Sequence, residues 1–338
     1  AGGGGGKGMR IINKKDELES GLKASRSEAL SAFNDERVFI EKYIENPRHI
    51  EVQILADAYG NVIHFGEREC SIQRRHQKII EESPSTYIDE TIRAELTQAA
   101  VSLVKETGYT NAGTVEFIFD QNKKFYFLEM NTRLQVEHPI TEMRVGYDLV
   151  KEQIKIAESN RLDFSQKDIK FAGHSIECRI YAEDPYNNFF PSTGKIIHMQ
   201  VPSGLGIRDD RGVEQGSEIS SYYDPLICKL VSFGRNREET RNRMSVALKQ
   251  FRLIGLRNNI NFCNWIVTHP KFISGEYDTG FIEKYFSGTE LVNPSDEFLS
   301  IAIIAAINKI QNLNDNFVET SESKPCFNWK NKRIDGFN

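Results

Sequence analysis

The chain has 338 residues, 39% hydrophobic and 27% charged, with a net charge of −5. That is enough for two or three soluble domains of about 150 residues each. No Lys/Arg block reads as a nucleic-acid footprint, and no run reaches the ~18 apolar residues of a membrane span.

Taken in chain order, the sequence opens Ala-Gly-Gly-Gly-Gly-Gly-Lys-Gly-Met-Arg. With nothing ahead of this loop, the chain is expected to be a fragment lacking an upstream part. Gly2 to Gly6 predict a loop, Met9 to Asn13 a short strand, and Asp16 to Ala32 a helix with apolar Leu18, Leu22, Ala29 and Leu30. Val38 to Ile44 reads as a strand broken by Asn46-Pro47. His49 to Ala56 and Val62 to Glu67 alternate apolar and polar around the turn Tyr59-Gly60-Asn61. Glu90 to Thr107 predicts a helix stopped by Gly108. Gly113 to Phe119 and Phe125 to Met130 predict a hairpin, and Leu149 to Ser159 a helix. A β-rich stretch covers Ser175 to Phe233, followed by helices over Arg237 to Phe251 and Asn258 to Thr268. Strands and helices mix without a βαβ rhythm, which excludes a Rossmann domain. A last helix is expected over Glu297 to Asn312, then polar sequence to the end. Cys70, Cys178, Cys228, Cys263 and Cys326 are widely spaced and form no Cys-x-x-Cys pair. A reducing compartment fits them better than a disulfide framework or a zinc site.

The glycine run lets backbone N–H groups approach an anion, although a flexible linker has the same composition. It lacks the Gly-Lys-Ser/Thr ending of a Walker loop. In the hairpin, a two- or four-residue turn at Asn122-Lys123 sets Asp120 opposite Phe125 and Glu116 opposite Glu129. A three-residue loop would break that register. Facing carboxylates repel, and a divalent cation between them removes the conflict; oxygen ligands point to Mg²⁺ or Mn²⁺. A solvent-facing pair on an edge is the alternative. If the following segment is extended, Glu129, Asn131, Arg133, Gln135 and Glu137 line one face. They supply two oxygen ligands, a fork for a planar anion, an amide and a base. Gln73-Arg-Arg-His76-Gln-Lys78 offers cations for phosphate or a plain basic surface. Arg179, among Ile176, Cys178 and Ile180, needs a partner if buried, and Glu137 would serve.

Together these segments resemble the biotin carboxylase family of ATP-grasp enzymes. The stretches that carry the resemblance are AGGGGGKGMR, EKYIENPRHIEVQ, ERECSIQRRHQKIIEESP, GTVEF, FLEMNTRLQVEHPITEM, GHSIECRIYAEDP, PSTGKI and YYDPLICKL, spread over residues 1–285. The resemblance implies an α+β ATP-grasp fold, with a glycine-loop lid and a mixed sheet. Its parts are a partial lid at 1–44, a core at 45–165, a biotin carboxylase C-terminal domain at 166–288 and the start of a further module from 289.

It further implies that Gly5 and Gly6 close over ATP phosphates, that Glu41, Lys42, Tyr43 and Ile44 hold the adenine, and that His49, Gln73 and His76 contact the nucleotide. Glu116, Glu129 and Asn131 would ligate two ions. Lys78, Arg133, Gln135 and the Val136 backbone would bind bicarbonate, and Glu137 would deprotonate it. Arg179 would stabilise the biotin enolate, with Asp224 supporting that end. The implied partners are a biotin carboxyl carrier domain and a carboxyltransferase subunit, in a homodimer or larger assembly. Bacterial cytoplasm or the mitochondrial matrix would house it. The family's first domain, its ATP-binding lysine and the Ala-Met-Lys-Met acceptor motif are absent from this sequence. Two other classes compete: an ATP-grasp ligase joining a carboxylate to an amine, and a module that only binds nucleotide.

Overall fold

A computed structural model describes residues 8–291 and 302–310. Within the first stretch the main sheet has eight strands: β1 (Arg48–Ala56), β2 (Val62–Arg74), β3 (Gln77–Ser83), β4 (Asn111–Phe119), β5 (Phe125–Asn131), β6 (His174–Tyr181), β7 (Ile207–Arg211) and β8 (Leu226–Gly234). Their order is β7-β8-β6-β3-β2-β1-β4-β5. The fold is α+β, but every pairing in this sheet is antiparallel, where a mixed sheet was expected. Hairpins and returning connections build it, so the helical crossovers that force parallel neighbours are not required.

The helices are α1 (Leu18–Phe33), α2 (Glu90–Thr107), α3 (His138–Val145), α4 (Leu149–Ala157), α5 (Arg237–Gln250), α6 (Ile260–Thr268), α7 (Pro270–Ser274) and α8 (Phe281–Tyr285). Local chemistry sets their ends. Asp89 caps α2 by accepting from the Ile92 N–H, and Gly108 closes it with φ +61°. Asp148 and Asn236 cap α4 and α5 in the same way. The apolar core falls into three clusters. One packs α2 on Ile50, Val52, Ile54, Val115 and Phe119; a second packs α4 against Leu55, Ile63 and Phe65; the largest joins β6 and β8 to α5 and α6.

Two predicted strands do not form. Met9 to Asn13 and Val38 to Ile44 carry no strand, and Met9, Ile11, Phe39, Ile40 and Tyr43 are exposed. Alternation gives a segment the habit of a strand, but pairing makes one, and neither segment has a partner among the described residues. The helix α3 was not expected. Residues 302–310 are helical, inside the helix expected over 297–312, whose other residues lie outside the described ones.

Two bulges set the register across β2, β1, β4 and β5. Along β1 and β2 the pairing runs Ile54↔His64, then Val52↔Glu67. The extra residue falls at Gly66, whose φ of +78° a side chain would resist. Along β4 and β5 it runs Phe117↔Phe127, then Glu116↔Glu129, and Leu128 is the extra residue. A slip of one residue turns every later side chain to the other face, so both bulges choose which residues share a face.

Candidate active site

The second bulge decides the hairpin. The Asp120 N–H donates to the Lys124 carbonyl and Lys123 adopts φ +61°, so the loop is the three-residue type. Asp120 therefore faces Lys124, not Phe125. Leu128 then restores the register, and Glu116 does sit opposite Glu129.

With both bulges in place, one row crosses four strands: Arg68↔Glu51 on β2 and β1, Glu51↔Glu116 to β4, and Glu116↔Glu129 to β5. Three adjacent carboxylates in a row destabilise a sheet unless cations intervene. Lys78 on β3 does so. Its Nζ lies 2.5 Å from Glu51 Oε2, 3.0 Å from Glu116 Oε1 and 2.7 Å from Glu137 Oε1. Arg179 on β6 donates to the other oxygen of Glu137 at 2.9 Å and to Glu81 Oε1 at 2.6 Å. The expected Arg179–Glu137 pair is therefore present, with Glu81 as a second partner.

Burial sets the charges. It disfavours the Lys78 cation, but Glu51 and Glu137 outweigh it and hold the ammonium well above its usual range. Burial likewise works against the Glu137 carboxylate, and Lys78, Arg179 and Arg68 reverse this to hold it well below its usual range. Glu116 is lowered too, because His49 and Lys78 prevail over its burial. Burial pushes Glu81 up to about 7. Glu177, opposite Glu81 across β3 and β6, is pushed well above its usual range by burial and by Glu81, and neither of its oxygens has a hydrogen-bond partner.

Asn131 Nδ2 donates to Glu116 Oε1 at 3.0 Å and Glu129 Oε1 at 3.3 Å. Gln135 Nε2 donates to Glu116 Oε1 at 2.7 Å. His49 on β1 accepts at Nδ1 from Gln73 Nε2 at 2.7 Å. Its Nε2 lies 2.9 Å from Glu116 Oε2, yet it is buried without a properly aligned partner. This oxygen-rich set suits a hard divalent cation, once Asn131 turns its carbonyl oxygen inward.

The remaining expected residues are less drawn in. Glu129 is exposed, and Arg133 is exposed with its guanidinium on the Leu134 carbonyl. The extended face predicted from Glu129 to Glu137 ends at Asn131, and Glu137 instead stands just before α3, whose first turn holds Pro139, without capping it through its side chain. Val136 lies half-buried in the turn before that helix. Arg75 and His76 form the exposed tip between β2 and β3, with φ of +50° and +67°. In the segment Glu41, Lys42, Tyr43 and Ile44, Lys42 Nζ donates to the Tyr126 hydroxyl of the hairpin at 3.2 Å. Asp224 accepts from the Leu226 N–H in an exposed turn. Gly5 and Gly6 lie outside the described residues.

Sequence reasoning missed Glu51, Arg68 and Glu81, all fully buried. The signal was there in His49, Glu51 and Gln53, a polar set at every second residue of β1. That alternation also describes a strand with one wet face, and β1 has none: all nine residues are buried.

Comparison with known proteins gives this geometry a lineage. The family described as "Carbamoyl-phosphate synthase L chain, ATP binding domain" matches residues 1–165, and "Biotin carboxylase C-terminal domain" matches residues 177–284. Biotin carboxylase 1 of Bacillus subtilis (strain 168) is 51% identical over 284 residues, covering 84% of this chain and 63% of that protein. The propionyl-CoA carboxylase alpha chain of Ruegeria pomeroyi is 47% identical over 326 residues, covering 90% of this chain and 48% of that one. The chain thus spans about half to two thirds of the length of these two relatives. Among solved structures, the biotin carboxylase domain dimer of Hydrogenobacter thermophilus 2-oxoglutarate carboxylase, in complex with MgADP, ADP and bicarbonate, superposes with a TM-score of 0.81 at 47% identity, over 84% of this chain and 62% of that one. An ATP-binding region and a biotin carboxylase C-terminal region, both threaded through a single sheet, leave one assignment: the chain belongs to the biotin carboxylase family of ATP-grasp proteins.

Proposed function

We propose that the protein carrying this chain uses ATP and bicarbonate to carboxylate biotin on a carrier protein, through carboxyphosphate. One observation carries the reading: Glu137 is held at one oxygen by Lys78 and at the other by Arg179, beside the Glu116–Glu129 pair. A base, an anion-binding cation and a second cation thus stand together beside a metal-type carboxylate pair.

Each residue has work in this reading. Lys78, Arg133, Gln135 and the Val136 N–H hold bicarbonate, and Glu137 removes its proton. In the structure Glu137 is too weak a base for neutral pH, since Lys78 and Arg179 lower it. An arriving anion competes for Lys78, which returns basicity to Glu137. Arg179 is then free to face the biotin enolate, while Glu81 keeps hold of its Nε. His49, Gln73, His76 and the backbone and side chains of Glu41, Lys42, Tyr43 and Ile44 orient the nucleotide, under a lid that includes Gly5 and Gly6. Two Mg²⁺ or Mn²⁺ ions on Glu116, Glu129 and Asn131 would neutralise phosphate charge. The division into lid, core, C-terminal domain and further module belongs to the same reading. So do the carrier and carboxyltransferase partners, the homodimer or larger assembly, and a location in bacterial cytoplasm or the mitochondrial matrix.

The test measures ADP release by the intact protein with bicarbonate, with and without free biotin. Biotin should stimulate it, and Glu137→Gln should reduce it by about 10²–10⁴-fold. ATP cleavage indifferent to both bicarbonate and biotin would assign the chain to another ATP-grasp ligase chemistry.

A further inference from the structure

Arg68 is the largest fully buried side chain in the described chain, and nothing in the proposed chemistry uses it. A guanidinium has five N–H donors in a fixed plane. Here all five are engaged. Nε donates to Glu51 Oε1 at 2.6 Å; Nη1 to Gln53 Oε1 at 2.6 Å and Thr141 Oγ1 at 3.0 Å; Nη2 to Thr114 Oγ1 at 3.1 Å and Gln135 Oε1 at 2.8 Å. The acceptors come from β1, β4, the turn before α3, and α3 itself.

Two of these contacts point at the anion pocket. The Gln135 carbonyl oxygen is bound by Arg68, so its amide nitrogen must face the other way, and it does, donating to Glu116. Glu51 has one oxygen on Arg68 and the other on Lys78 Nζ. Arg68 therefore fixes the amide of Gln135 directly and the ammonium of Lys78 through one carboxylate. Its contact with Thr141 ties α3, which begins directly after Glu137, to the same plane. The Gly66 bulge makes this possible, because a regular ladder running on from Ile54↔His64 with Gly66 paired in its turn would set Glu67 opposite Glu51.

We propose that Arg68 is the positioning residue of the bicarbonate pocket, setting Gln135 and Lys78 at once without touching the anion. This deepens the carboxylase reading and rests on it. A residue that held only the fold would lower stability or disturb all ligands together. Arg68 acts on two bicarbonate contacts and, in its own bonds, on none of the adenine-side residues.

The experiment compares Arg68→Lys with wild type in the intact protein. Lysine keeps a charge for Glu51 and loses the planar fork. The KM for bicarbonate should rise about tenfold or more while the KM for MgATP stays within about twofold. Adding Gln135→Ala to Arg68→Lys should cost less than it does in wild type, since Arg68 acts through Gln135. Should Arg68→Lys not fold, Thr114→Val with Thr141→Val removes two tethers and leaves the pocket residues in place. That variant should raise the bicarbonate KM about threefold. Equal changes in both KM values, or an unchanged bicarbonate KM in a folded variant, would overturn the assignment while leaving the carboxylase reading intact. Absence of any bicarbonate-dependent ADP release in wild type would remove both.

Discussion

At the scale of single residues, the chemistry turns on how buried charges share partners. Lys78 touches three carboxylates, so its loss leaves three buried anions with fewer donors. Lys78→Ala is expected to raise the affinity of Glu137 for a proton and to abolish bicarbonate-dependent turnover; titration of Glu137 by isotope-labelled carboxylate NMR would read the first effect. Glu82 shows the same principle away from the pocket. It accepts from Arg237 Nε at 2.6 Å, pairs with His174 Nε2 at 2.7 Å and takes the Tyr277 hydroxyl. Its pKa is lowered from 4.5, because Arg237 and His174 outweigh its burial. A lowered carboxylate stabilises the fold fully above its unfolded pKa and loses that contribution as pH falls toward the folded one. Glu82→Gln should therefore cost about 3–5 kcal/mol at pH 7. The gap to wild type should narrow as pH drops below 4.5. Urea unfolding at two pH values measures both. A gap that stayed constant would mean that the carboxylate charge is not what holds the cluster.

The elements show what the sequence could and could not tell. Helices with a capping Asp or Asn and a terminal Gly, such as α2, are legible because their ends depend on neighbours in sequence. The facing of Glu116 and Glu129 was legible, but by a route the sequence hides: a three-residue loop and a bulge that cancel. Bulges leave no composition mark at Leu128, and at Gly66 only a glycine inside an alternating strand. Arg68, Glu51 and Glu81 were illegible for a different reason. Alternation reports two faces of a strand and does not say that both are covered, and covering comes from α3 and the segment that leads into it, far along the chain. Met9 to Asn13 and Val38 to Ile44 failed because strand formation is a property of pairs. Deleting Leu128 tests the element-level account. The shortened hairpin should fold and run Phe117↔Phe127 straight into Glu116↔Glu129 without a bulge, so Mn²⁺ binding, read by electron paramagnetic resonance, should survive; its loss would mean that Leu128 does more than take up the extra position.

On the scale of the molecule, the two family regions are not separable parts. In the β3–β6 pairing, Ile80↔Cys178 and Glu81↔Glu177 join residues from either side of the gap between them, and Glu82↔Ile176 and Ser83↔Ser175 carry the ladder on into the gap. Arg179 reaches Glu137 across that join. A fragment ending near residue 165 would expose β3 as a long unpaired edge and leave Glu137 with one cation. It should aggregate when expressed alone and be rescued by co-expression with residues 166–291, as scored by copurification. Soluble, monomeric, well-folded halves would contradict that.

The four-strand row also makes any bound ligand a latch. Arg68, Glu51, Glu116 and Glu129 lie on four different strands and come together only when two bulges and a sheet order are complete. No partly folded segment offers the same set of groups. A ligand seated there can recognise only the finished sheet, so its binding energy is added to the stability of β2, β1, β4 and β5 together. Saturation at a hundred times the dissociation constant would add about 2.7 kcal/mol. Occupancy would then be recorded in the slowest-exchanging amides of β1, a strand that lies at the middle of the row and has no face open to water.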